Sequence, residues 1–191
     1  MISMEKDIAY FEASGEENTD EVLELSKKRA EELGIRDFVV ASTRGVVGVK
    51  ASKTFKGYNV VVVPHHVGFN ERGVWELTEE NIALIEQSGG KIYRGTHVFG
   101  NIDRAIRKKY STYKTGDIMA NTLRLFGEGM KVIVEIVAMA ADAGLIPIDV
   151  DVIGIAGTGK GSDTAVVIKP EDSSRFFDMY VKEIIAKPRK R

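Results

Sequence analysis

Phe38-Val39-Val40-Ala41-Ser42-Thr43-Arg44-Gly45 is the stretch on which the fold turns. Four apolar residues, two of them β-branched, run without alternation into a short polar turn. A strand with one wet face alternates apolar and polar residues, whereas an unbroken apolar run is what a strand covered on both faces requires. Asn59-Val60-Val61-Val62-Val63 repeats the signature, and residues 46–55 between the two runs are long enough for a short helix. Two buried strands joined by a helix imply parallel pairing, because a parallel connection needs a crossover.

The same punctuation extends in both directions. Ile8-Ala9-Tyr10-Phe11 reads as a short strand, and Asn18-Thr19 caps a helix with Asp20 and Glu21 in its first turn, ending at Leu33 before Gly34. Thr78 caps a helix through Gln87, which Gly89-Gly90 ends ahead of the strand Lys91-Ile92-Tyr93-Arg94. A helical region runs from Gly100 to Ala143 with breaks near 110–116 and 127–129. Residues 149–156 and 164–168 are strands with too little chain between them for a helix, so they form an antiparallel hairpin. The expected architecture is a three-layer α/β/α domain over residues 1–191, with a mostly parallel sheet and one antiparallel strand at the C-terminal hairpin.

Composition narrows the function. With 27 basic and 28 acidic residues the 191-residue chain carries a formal charge of -1, which is not the footprint of a dedicated nucleic-acid binder. The basic cluster Lys187-Pro188-Arg189-Lys190-Arg191 reads as a solvated, fraying terminus. The absence of cysteine excludes disulfides, thiol nucleophiles and cysteine-ligated zinc, and suits a reducing cytoplasm. Residues 1–7 lack the layout of a signal peptide, and the most apolar helix candidate, Val132 to Ile148, is interrupted by Glu135 and Asp142, so neither export nor a membrane span is expected. Met119 to Met139, with Leu123, Leu125, Ile133 and Ile136, reads as core or a subunit interface, and a homo-oligomer is expected.

In an open α/β sheet, ligands bind beyond the carboxyl ends of the parallel strands. Here those ends carry Glu12 to Gly15, Ser42-Thr43-Arg44-Gly45, His65-His66 through Phe69, Gly95-Thr96-His97, and Gly157-Thr158-Gly159-Lys160-Gly161-Ser162-Asp163. All three histidines fall in this set. Ser42 to Gly45 sits where a strand hands over to a helix, so backbone amides, the helix dipole and Arg44 make a seat for phosphate. Gly154 to Lys160 approaches the nucleotide P-loop pattern, but Gly161 stands where a magnesium-binding hydroxyl belongs and the next segment, from Thr164, is a strand rather than a helix. An ATPase or GTPase is therefore rejected, and the segment reads as a flexible, amide-rich loop with Lys160 that wraps a ligand. Adjacent residues of an extended chain point to opposite faces, so His65 and His66 converge only if the chain turns between them. Hydrogen bonding to a ligand, or to neighbouring backbone, is favoured over a three-histidine metal site of His65, His66 and His97. Spacing assigns no catalytic residue.

Taken together, Phe38 to Gly45, Val63-Pro64-His65-His66 and Ala156-Gly157-Thr158-Gly159-Lys160-Gly161-Ser162-Asp163-Thr164-Ala165 resemble the carboxy-terminal α/β domain of pyruvate kinase, in the stand-alone archaeal form. Asn18-Thr19, Gly68-Phe69, Gly95-Thr96-His97 and Glu183 to Pro188 are similar to those stand-alone relatives. In pyruvate kinase the domain is regulatory, and the loop matching Ser42 to Val47 holds a phosphate of a sugar bisphosphate. Without the catalytic barrel, kinase activity is not implied. The stand-alone resemblance implies flavin mononucleotide (FMN) as the bound small molecule, and with it a flavin-dependent oxidoreductase of unknown substrate. The alternative is a non-catalytic regulatory module sensing a sugar phosphate or nucleotide. Where the relatives show Ser-Gly-x-Thr, this chain has Arg44-Gly45-Val46-Val47. Either Arg44 compensates for the two lost hydroxyls, or the phosphate sits at Gly157 to Ser162.

Overall fold

Each apolar run becomes a strand whose successive side chains enter two different cores. In the computed structural model, which describes residues 5–190, Phe38 and Val40 face one core while Val39 faces the other. Val60 and Val62 divide from Val61 and Val63 in the same way. This is the period-two geometry of a pleated strand applied to a run that is apolar throughout. The readings that touch residues 1–4 and Arg191 lie outside the described residues.

The strands are β1 (Ala9–Phe11), β2 (Asp37–Ala41), β3 (Asn59–Val63), β4 (Lys91–Ile92), β5 (Val152–Ala156), β6 (Thr164–Lys169) and β7 (Tyr180–Pro188), and they form one sheet in the order β1-β7-β6-β5-β2-β3-β4. β2 pairs in parallel with β3, Val39 opposite Val61, and with β5, Val39 opposite Gly154. β6 runs antiparallel to both β5 and β7, while β7 is parallel to β1. One strand is thus reversed in an otherwise parallel sheet, as the short loop before Thr164 requires.

Among the described residues the α-helices are α1 (Thr19–Leu33), α2 (Val46–Thr54), α3 (Glu79–Gln87), α4 (Asn101–Tyr110), α5 (Thr115–Leu123) and α6 (Glu128–Asp142). Residues of α1, α2 and α3 share a core with Phe38, Val62 and Ile155. α6 covers the opposite face with Ile133, Ile136, Val137 and Met139, all buried. Each such side chain stabilises the fold by roughly 1.5–3 kcal/mol relative to an exposed one. α6 approaches β5 closely because Gly154 lacks a side chain: a Cβ there would lie 2.3 Å from Ile133 Cγ2. Of the stretch read as core or interface, Ile133 and Ile136 are core, whereas Leu125 is 76% exposed.

Several expectations are corrected. The C-terminal segment is not a fraying tail: Lys187 and Pro188 belong to β7, opposite Tyr10 and Phe11, and the Arg189 N–H donates to Phe11 O at 2.9 Å. Its charged residues hid a strand that is paired on both sides between β1 and β6. β4 stops at Ile92 and β5 begins at Val152, each shorter than expected. Asn18 does not cap α1 through its side chain; its Nδ2 instead donates to Ala13 O at 3.0 Å, in a tight turn that precedes the helix. Thr78 does cap α3, its Oγ1 accepting the Asn81 N–H at 3.3 Å. Among the described residues no helix is long and apolar enough to cross a membrane.

Candidate functional site

β2, β3 and β5 are parallel, so the loops that follow them meet at one edge. There they border a cleft of about 1150 Å³ that also takes residues from α4, α5 and α6. Ser42, Thr43, Arg44, His65, Gly157, Gly159, Lys160 and Gly161 line it.

The turn from β2 into α2 is built rigidly. The buried Ser42 donates its N–H to Val63 O at 3.1 Å, and its Oγ accepts the Gly48 N–H at 2.9 Å. Gly45 adopts φ 98 with its Cα against α3, where a Cβ would lie 2.4 Å from Asn81 Cβ. Asn81 Nδ2 in turn donates to Arg44 O at 2.8 Å. Thr78, Asn81 and α3 therefore hold the turn from behind. The amides of Val46 and Val47, at the positive end of α2, have no protein acceptor among the described residues. Unsatisfied amides, a helix dipole and the exposed Arg44 make this an anion seat.

The loop between β5 and β6 is anchored by hydrogen bonds at Thr158 and at residues 162–164. Asp163, fully buried, accepts the Thr158 N–H at 3.0 Å and the Thr164 hydroxyl at 2.7 Å, and its own N–H donates to Ala156 O. Ser162 N–H donates to Thr19 Oγ1 at 2.9 Å, and Gly161, at φ 74, abuts the turn before α1. Ser162, Asp163 and Thr164 are thus buried behind the loop, holding Gly157, Gly159 and Lys160 at the cleft. The strand that follows is β6, as the rejection of a P-loop required.

On the far side of the cleft lies a cluster of rings. The chain turns after β3, with the Phe69 N–H donating to His66 O at 3.2 Å. Phe69 stacks on His65 at 3.7 Å, and His97 lies 5.7, 5.4 and 5.4 Å from His65, His66 and Phe69. All three imidazoles therefore meet. His65 Nδ1 is 2.8 Å from Glu76 Oε2, and the Trp75 indole N–H donates to His65 O. Burial pushes the His65 imidazole below its ordinary value, with Glu76 opposing. His66 is lowered first by burial, and further by the neighbouring His97 and Arg104. Among the described residues, the buried ring nitrogens His66 Nδ1 and His97 Nε2 have no hydrogen-bond partner, and His66 does not line the cleft. Among the described residues no three His, Asp or Glu side chains converge on a common metal position. Thr96 is exposed and does not line the cleft; its carbonyl accepts the Tyr93 hydroxyl.

Sequence reasoning passed over the floor. α6 places Lys131 and Glu135 there, paired with each other, and Glu135 Oε1 also accepts the Phe99 N–H at 3.1 Å and lies 3.6 Å from His97 Nδ1. Burial alone would raise the Glu135 carboxyl, but His97 and Lys131 hold it down to about 2. Two charges one turn apart, inside an otherwise apolar helix, were the available signal. Arg104 was also missed; its guanidinium lies 4.0 Å from the Phe69 ring centroid.

No family model matches the chain. Among solved structures it is similar to Cryptosporidium parvum pyruvate kinase in complex with ADP, with 12% sequence identity and a TM-score of 0.41, over 80% of this chain and 23% of that one. The chain thus spans less than a quarter of that enzyme's length.

Proposed function

We propose that the cleft binds a phosphate-bearing small molecule with a flat ring, FMN being the ligand to test first. The observation that carries the reading is the two-ended character of one cleft: a turn at α2 suited to an anion, with Arg44 and Lys160, and a cluster of rings around Phe69. Arg44 stands where the first of the two lost hydroxyls of the resembled loop would have been, Val47 taking the place of the second, and Lys160 comes from the loop opposite. Neither has a carboxylate within ion-pair distance among the described residues. His97, whose Nε2 has no partner among the described residues, lines the cleft, whereas His66 does not. The volume also fits a ligand of this size. The resemblance of the strand-end motifs to stand-alone archaeal relatives supports the same ligand.

Bound FMN supplies electron or hydride transfer, so oxidation and reduction of an unidentified substrate is the activity such binding would serve. The chain's own residues bind the phosphate, present rings to the flat portion and hold Glu135 ionised beneath it. Titration of the protein with FMN, followed by flavin absorbance and fluorescence, tests the reading. Saturable binding at one equivalent that weakens at least tenfold in Arg44→Gln/Lys160→Gln is expected. Absence of flavin binding, with stabilisation by a sugar bisphosphate instead, would replace it with a regulatory sensor of sugar phosphates.

A further inference from the structure

The cleft concentrates positive charge in a chain whose formal charge is only -1. Half of its Lys and Arg side chains are already matched: Arg107 with Asp117, Arg124 with Glu128, Lys131 with Glu135, and Lys50 with Asp20. Four others, Arg44, Lys160, Arg104 and Lys108, line the same cleft without a carboxylate at ion-pair distance among the described residues. They fall into two pairs. Arg44 and Lys160 belong to the strand-end loops at the phosphate seat. Arg104 and Lys108 are one turn apart on α4 and therefore share a face of that helix.

The second pair lies at the ring end. Arg104 sits on Phe69, which stacks on His65. An anion at Arg104 would therefore lie beside Phe69 and His65. A molecule with one phosphate and one ring system has already placed its phosphate at the other end, so the anion at Arg104 comes from elsewhere. Asp117 fixes α4 from below through Arg107, and Asp103 accepts the Gly116 N–H at 3.1 Å. The two uncommitted cations are thereby left to project from an anchored helix.

We propose that Arg104 and Lys108 form a second anion subsite, which takes the carboxylate or phosphate group of a small molecule bound beside the ring of the first ligand. The class of second ligand, a small organic acid or phosphate ester, follows from the charge and from the position. This rests on the two-ended reading of the cleft, but not on FMN being the first ligand. A guanidinium and an ammonium at i, i+4 hold an anion by charge-assisted hydrogen bonds, and neither must first break an ion pair.

The test counts anions by calorimetry on the full chain, using inorganic phosphate and succinate as probes. Flavin-free wild-type protein is expected to take two equivalents of phosphate, and FMN-saturated protein one. Arg104→Gln/Lys108→Gln removes the second equivalent, or weakens it at least tenfold, and leaves the first equivalent, the one at Arg44 and Lys160, in place. Because α4 buries none of its residues, the variant folds, which circular dichroism checks; Lys108→Glu alone repeats the test with a single exposed change. Tighter succinate than phosphate at the second site identifies a carboxylic acid as the natural class, and the reverse a phosphate ester. Retention of the second equivalent by the double variant, or a wild type with a single anion site, overturns the proposal. If FMN fails to bind while two phosphates are still counted, the flavin reading falls and the second subsite stands.

Discussion

Glu135 and Lys131, one turn apart on α6, form an ion pair at the floor of the cleft with side chains only 3% and 12% exposed. Two charges that far from water are retained only when each has partners, and Glu135 gathers three: Lys131, the Phe99 amide and His97.

Replacing Glu135 with Gln keeps the shape but leaves Lys131 buried without a counter-charge. A loss of about 3 kcal/mol in urea unfolding is expected, because breaking a buried pair costs more than the pair contributes. A loss below about 1 kcal/mol would show that water reaches the pair.

The same residue sets an acid limit to stability. The folded Glu135 carboxyl is held at about 2 against an ordinary 4.5, so the unfolded chain takes up its proton first. The stabilisation is fully present above about pH 4.5 and is lost as pH falls toward 2, amounting to roughly 3 kcal/mol. Chemical denaturation as a function of pH should show this limb in the wild type and a shallower one in Glu135→Gln.

His65 and His66 are both displaced below the ordinary imidazole value of 6.5, burial being the first cause in each. Their ring-proton NMR titrations are expected to have midpoints under 6.5. Since the folded state resists protonation, these histidines favour folding above pH 6.5, and that contribution declines as pH falls through their folded midpoints. Midpoints at the ordinary 6.5 for both would mean that the ring cluster is wet, and midpoints above it that neighbouring carboxylates outweigh burial.

Gly161 to Ala probes how the ligand loop is pinned. Its φ is 74, and a Cβ would lie 2.3 Å from Glu16 Cα and 2.6 Å from Thr19 Oγ1. Left-handed backbone plus a backbone clash is expected to cost about 2–4 kcal/mol. Gly34 to Ala, at φ 69 with open space around it, pays only the backbone part of about 1–2 kcal/mol. Equal melting temperatures for the two variants would count against the packing of residues 157–161 on the turn before α1.

Arg29 is clamped by Glu183 of β7 through two hydrogen bonds of 2.7 Å, and the Glu183 carboxylate raises the already high Arg29 basicity. This joins α1 to the strand that the sequence concealed. Glu183→Ala should cost about 2 kcal/mol, more than an exposed pair and less than one fully shut from solvent. Thermal unfolding of the variant measures it.

Local chemistry by itself determined much of this molecule. The unbroken runs at 38–41 and 59–63 demanded strands covered on both faces, the short link between Ala156 and Thr164 demanded a reversed strand, and Thr78 and Gly34 bounded helices by caps that depend only on adjacent residues. It also gathered the strand-end loops to one edge, because parallel strands leave their carboxyl ends together. What it did not determine is anything fixed by pairing across long stretches of chain. β7 is a strand because β1 and β6 supply partners on both sides, despite the charges along it. Lys131, Glu135 and His97 become one unit only when α6 lies across the sheet beneath the loop after β4. Arg104 reaches Phe69 only through the placement of α4. The two loops first read as phosphate sites are legible in sequence because each is a local backbone motif; the charged floor and the ring end of the cleft are properties of packing, and only the tertiary structure decided them.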